Sequence, residues 1–147
     1  MPASAEVVDN CTTNQSEADD MTISDLVGGN VVSCEPGASL VEAASLMHDM
    51  EVGSVAVVVD EALEGILTER DILNAVVAGA DFDNETVSSH MTFLPDAFGP
   101  ELSVQEAADW MLATGYRHLP IVEASGRVVG MVSIKDVLWA VTDPSGV

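Results

Sequence analysis

One short phrase occurs twice in this chain. Gly65-Ile66-Leu67-Thr68-Glu69-Arg70-Asp71 and Gly130-Met131-Val132-Ser133-Ile134-Lys135-Asp136 both read Gly–apolar–apolar–Ser/Thr–x–basic–Asp, 65 positions apart. A carboxylate can accept two hydrogen bonds from a cis-diol, as an acidic residue does for ribose in dinucleotide folds. That chemistry is open to Asp71 and Asp136. A hydroxyl at a helix N-terminus, beside free N–H groups and the positive end of the dipole, suits a phosphate. Thr68 and Ser133 are the candidates for it. The same residues also meet a simpler need, because Ser/Thr-x-x-Asp is a capping box that starts a helix. Both roles stay open, and they coexist if the hydroxyl turns outward when a ligand arrives.

The elements that must hold these residues are also duplicated. Pro36, Ser39, Glu42, Ala43-Ala44 and Met47 recur 64 positions later as Pro100, Ser103, Glu106, Ala107-Ala108 and Met111. After one inserted residue near Gly126, Gly65, Asp71, Leu73 and Val76 recur at an offset of 65 as Gly130, Asp136, Leu138 and Val141. A period of this length marks a duplicated supersecondary unit. In each copy Ser-x-x-Glu opens a helix with apolar residues at helical spacing. A strand follows (55–59 and 119–122), then a turn (60–64 and 123–127), a second strand (65–67 and 128–132) and a closing helix (69–78 and 134–142). Residues 31–33, and more weakly 93–94, form a short strand before the first helix. The expected fold class is α/β (α+β), as two β-α-β-β-α repeats. Each repeat has a sheet covered on one face, so two packed together bury what one leaves bare. The expected boundaries are an acidic, disordered leader over 1–20, one repeat over 21–83 and another over 84–147.

Composition narrows the function. Formal net charge is −21, with 25 acids against four Lys and Arg. A surface this acidic repels nucleic acid and anionic lipid. Only five of the acids fall in the first twenty residues, so the charge is spread over the folded part and is no mere tail. It suits a cytoplasm of high salt, where self-repulsion is screened. No apolar run reaches the ~18–20 residues needed to cross a bilayer, and no secretory signal pattern begins the chain. A cytoplasmic protein without direct membrane insertion is the expectation. Cys11 and Cys34 have no metal-ligand spacing and read as free thiols. His48 and His90 lack metal-compatible partners and read as surface or edge residues. Met47, Met50, Met91, Met111 and Met131 read as core or helix-interface filler in a chain with 4% aromatics.

These elements in this order, with Thr68–Asp71 and Ser133–Asp136 behind Gly65 and Gly130 and with His118-Leu119-Pro120-Ile121-Val122 as a first strand, resemble the cystathionine-β-synthase (CBS) domain. The tandem pair resembles a Bateman module of the stand-alone kind over about 21–142. The resemblance implies two repeats packed through their sheets about a pseudo-twofold axis, two clefts between them, and commonly a homodimer. It implies a regulatory ligand with an adenosyl group: AMP, ADP, ATP, NAD or S-adenosylmethionine. It implies no obligatory cofactor and an unknown enzyme or transporter as the regulated partner; the residues themselves offer no metal-ligand spacing and no nucleophile–base–acid set, so neither a metal nor catalysis is expected. Trp110 and Trp139 fall on helices that such modules use for dimer packing, though plain core packing is as good a reading. Basic residues before the first strand reach toward phosphate in the family. Here Tyr116-Arg117-His118 stands in the second copy, against Val52-Gly53-Ser54 in the first. The resemblance implies that Ser133, Asp136, His118 and Arg117 gather in one cleft, with the backbone of Val52, Gly53 and Ser54 near the base. Thr68, Asp71 and Ser54 gather in the other, with Tyr116 and Arg117. The Asp136 cleft is expected to favour anions; alternatively Arg117 is a surface cation paired with one of the many carboxylates. The rival reading of the whole chain is a structural or protein-interaction module without bound nucleotide.

Overall fold

In a computed structural model, residues 21–27 and 31–142 are described; the expected leader and Cys11 lie outside them. The chain order is a 3-10 turn (Ile23–Asp25), β1 (Ser33–Cys34), α1 (Leu40–Met50), β2 (Ser54–Val59), β3 (Ala62–Thr68), α2 (Glu69–Val77), a 3-10 turn (Val87–Ser89), β4 (Thr92–Phe93), α3 (Val104–Thr114), β5 (His118–Val122), β6 (Val128–Ser133) and α4 (Ile134–Thr142). This is a mixed α+β fold with β-α-β-β-α written twice. The capping boxes form where the sequence places them: Ser39 accepts from Glu42 N and Ser103 from Glu106 N. Such caps are each worth about 1 kcal/mol.

The contacts sort the chain into two compact units, which differ from the sequence repeats. One unit holds Gly28–Gly99 and Leu119–Met131. Within it β1-β2-β3-β4 form a sheet; β1 is parallel to β2 and the other pairs are antiparallel. Leu40, Ala43, Met47, Val55, Val57, Leu67, Ala75 and Val87 are its buried core. The remaining unit holds Pro100–His118 with residues 21–27 and 132–142. There α3 packs on α4, and Ile23, Val104, Ala107, Met111, Val137 and Ala140 are buried.

Each 3-10 turn plugs the helix start of the opposite repeat. Ile23 N donates to Leu102 O at 2.8 Å, Ser24 N to Pro100 O at 2.9 Å, and Val104 N to Met21 O at 2.9 Å. The counterpart has Val87 N to Ala38 O at 2.8 Å, Ser88 N to Pro36 O at 3.0 Å and Leu40 N to Glu85 O at 3.0 Å. Ile23 and Val87 are fully buried. Backbone donors near each helix N-terminus are thereby satisfied from a distant part of the chain, which is how orphan amides must be settled.

Two expectations need correction. The first hairpin turn is Asp60-Glu61 alone and not 60–64, because both residues adopt positive φ (52° and 70°) and close a two-residue turn. The strand expected at 93–94 lies at Thr92–Phe93 and pairs with β3; it is not the second copy of β1. That place is taken by Phe98, in a parallel bridge to Ile121. Met50 is exposed at the C-terminal end of α1, one residue before the left-handed cap Glu51, which excludes the core for it and leaves the helix-interface reading open. His90 is half-buried, with Nε2 2.7 Å from Glu85 Oε1.

Candidate functional site

β3 carries Thr68 to the mouth of α2, and β6 carries Ser133 to the mouth of α4. Both strands run directly into their helices, so hydroxyl and carboxylate are fixed by one turn of backbone. In the first copy Thr68 N donates to Asp71 Oδ2 at 2.9 Å, Thr68 Oγ1 donates to the same oxygen at 3.1 Å, and Asp71 N donates to Thr68 Oγ1 at 3.2 Å. In the second, Ser133 N donates to Asp136 Oδ2 at 3.1 Å and Asp136 N to Ser133 Oγ at 3.2 Å. The capping role is therefore present in both copies. It uses Oδ2 of each carboxylate and leaves Oδ1 without a hydrogen bond among the described residues.

The copies differ in what they leave available. The Thr68 hydroxyl both accepts and donates inside its cap. The Ser133 hydroxyl accepts within its cap, and its proton has no acceptor there. The first helical amide is engaged in both: Glu69 N donates to Gly53 O at 2.9 Å and Ile134 N to Arg117 O at 2.8 Å. The free N–H groups expected to take a phosphate are thus fewer than the sequence suggested. These two carbonyls escaped the sequence reading, and no side-chain signal could have shown them, since any residue supplies one.

Those same bonds place the flanking residues. Gly53 and Ser54 lie beside Thr68 and Asp71 in one unit, with Ser54 paired to Thr68 across β2 and β3. Ser54 is 4% exposed and its hydroxyl makes no hydrogen bond among the described residues. Opposite residues of an antiparallel pair share a face, so it stands next to the Thr68 hydroxyl. Tyr116, Arg117 and His118 lie beside Ser133 and Asp136 in the other unit. Tyr116 packs on Trp110 with ring centroids 5.5 Å apart. Among the described Lys and Arg residues, Arg127 alone makes an ion pair, to Glu123; Arg117 is exposed and makes none. Trp139 is exposed, which excludes core packing for that residue. No group of three or more described His, Cys, Asp or Glu residues could hold a metal. No described helix is long and apolar enough to cross a membrane.

A family model described as CBS domain matches residues 23–78 and again 87–143. A solved CBS-domain-containing protein of Agrobacterium tumefaciens is 34% identical with TM-score 0.75, over 82% of this chain and 98% of that one. A CBS-domain pair in complex with 5′-methylthioadenosine and S-adenosyl-L-methionine is 23% identical with TM-score 0.73, over 80% and 93%. The protein CBSX2, in complex with AMP, is 22% identical with TM-score 0.73, over 85% and 99%. At those identities the last two likenesses are of fold.

Proposed function

The chain belongs to the CBS-domain family, with two copies in tandem, and from that premise we propose that it is a regulatory module that binds an adenosyl nucleotide and signals its presence to a partner protein. The observation that carries this reading is the pair of cap carboxylates, each with Oδ1 unspent at equivalent points behind a glycine-led strand. A cis-diol can bond to that oxygen without dismantling the cap. The adenosyl ligands of two CBS pairs of the same fold support the class of ligand: AMP, ADP, ATP, NAD or S-adenosylmethionine. The repeats are assigned to 21–83 and 84–147, and the role is regulatory rather than catalytic.

The two carboxylates are unequal. Asp136 has a serine proton free for a ligand and the Arg117 backbone bonded to its own helix start, with no ion pair occupying the guanidinium. Asp71 has a hydroxyl that is spent in the cap and no Lys or Arg before its strand. At the first copy, that spent hydroxyl favours a plain helix cap. Anionic ligands therefore prefer the Asp136 side. A homodimer is supported by exposed Leu73, Val76 and Val77 on α2 and by exposed Leu138 and Trp139 on α4. The acidic surface, in this reading, serves a salt-rich cytoplasm, and the regulated partner is an enzyme or transporter.

Titration calorimetry with AMP, ATP and S-adenosylmethionine in molar salt tests it. Removing a hydrogen-bonded charge costs roughly tenfold or more in affinity, so Asp136→Ala weakens AMP by at least about that factor and Asp71→Ala by less. Absence of heat for all three ligands sinks the sensor reading; equal losses in the two variants sink the asymmetry.

A further inference from the structure

A cavity of about 360 Å³ opens within the unit that holds the four-stranded sheet, lined by Val31, Ser33, Val58, Glu61, Arg127, Val128 and Val129. None of these belongs to the two carboxylate sites. Four valines supply the apolar half of its lining, and Ser33, Glu61 and Arg127 contribute to the polar half. Glu61 and Arg127 bring opposite charges to it; the backbone of Glu61 and the guanidinium of Arg127 are each held by a hydrogen bond. Glu61 is the second residue of the Asp60-Glu61 turn, where two non-glycine residues hold positive φ. Strain of this kind persists only where the surroundings fix it, and it collects at ligand sites. Here Val128 N donates to Glu61 O at 3.0 Å and ties the turn to β6. Arg127 Nη2 donates to Glu123 Oε2 at 3.1 Å, which orients the guanidinium and leaves Nε and Nη1 for another acceptor. Bonding to Glu123 raises the Arg127 pKa, and Glu61 adds to it through space. Glu61 and Arg127 do not themselves form an ion pair.

The cavity volume lies at the small end for ligand pockets, which suits a molecule smaller than a nucleotide. A guanidinium with Nε and Nη1 to spare beyond its pair with Glu123, and the Glu61 carboxylate, stand beside valine side chains and match a zwitterion with a hydrocarbon tail. Net charge agrees: at −21 the chain repels a simple anion at long range, whereas a zwitterion carries no net charge to repel. We propose that this cavity binds an aliphatic α-amino acid, with its carboxylate on Arg127, its ammonium on Glu61 and its side chain among Val31, Val58, Val128 and Val129. This gives the chain a second class of ligand, independent of any nucleotide.

The test is titration of the full chain with L-leucine, followed by calorimetry or saturation-transfer NMR. Two analogues accompany it: 4-methylpentanoate lacks the ammonium, and 3-methylbutylamine lacks the carboxylate. Leucine is expected to bind, and each analogue to bind at least about tenfold more weakly. Arg127→Gln should abolish the preference over the amine, and Glu61→Gln the preference over the acid. The analogue series on the unaltered chain needs no variant to fold. Failure of leucine to bind at tens of millimolar overturns the proposal. So do analogues that bind as well as leucine, or a leucine affinity unchanged by both substitutions.

Discussion

Gly65 opens the first copy of the repeated phrase, and adding one methyl group there should damage the sheet. A Cβ at this position would stand 2.6 Å from Met91 Sδ and 2.7 Å from the backbone O of Thr92. Both are far inside ordinary van der Waals contact. The Met91 side chain can swing aside. The Thr92 oxygen cannot, because Gly65 and Ile66 are in register with Phe93 and Thr92 of β4. Gly65→Ala must therefore push β4 off β3. Overpacking of this kind costs about 1–3 kcal/mol, and a backbone obstacle puts the cost in the upper part, about 2–3 kcal/mol. At this chain length each kcal/mol moves Tm by roughly 3 °C, so the melt should fall by about 6–9 °C. Urea unfolding by circular dichroism should show a lower midpoint with the slope unchanged. Met91→Ala combined with Gly65→Ala separates the two obstacles. The double variant should retain most of the cost relative to Met91→Ala alone. A melt lowered by less than about 2 °C, or full rescue in the double variant, refutes the reasoning.

Ile23→Ala and Val87→Ala each hollow out a plug at the opposite repeat's helix start. Both side chains are fully buried, so losses of about 2–4 and about 1–3 kcal/mol are expected in denaturant melts; a cost below about 0.5 kcal/mol for either contradicts the exchange of segments. Burial first, then Glu42 and Glu35, raises the Cys34 thiol from 9.0 to about 11. The stability it contributes is complete below pH 9.0 and is lost as pH rises toward about 11. Cys34→Val should flatten that alkaline decline, and slow alkylation of the unaltered thiol at about pH 8 checks the same burial. The Asp81 N–H and then His90 hold the Glu85 carboxyl below its ordinary 4.5. Its contribution is therefore present above pH 4.5 and fades as pH falls below it. Glu85→Gln should lower stability near neutrality and converge with the unaltered chain in acid; equal loss at both ends would show a purely steric effect.

The local parts of this protein are legible in its sequence because they depend on neighbours three or four residues away. Ser39-x-x-Glu42, Ser103-x-x-Glu106, Thr68-x-x-Asp71 and Ser133-x-x-Asp136 all form the boxes that their spacing dictates. Helical periodicity put Leu40, Ala43, Met47, Val104, Ala107 and Met111 inside, where they are. The duplication and the family followed from the same repeats. Elsewhere the sequence misled for a physical reason. Asp60-Glu61 carries no Gly or Asn to announce so tight a turn, and its strain is held by Val128, far along the chain. Thr92–Phe93 joins β3 because Gly65 leaves room, a fact about a gap and not about β4. Residues 21–27 plug the second repeat and residues 86–91 the first, an exchange decided only when distant amides need acceptors. The repeated phrase determined that each copy would hold a hydroxyl, a cation and a carboxylate at a helix mouth. Tertiary structure decided which of their bonds were already spent, since Gly53 O, Arg117 O and the Thr68 proton reach their partners only in the folded chain.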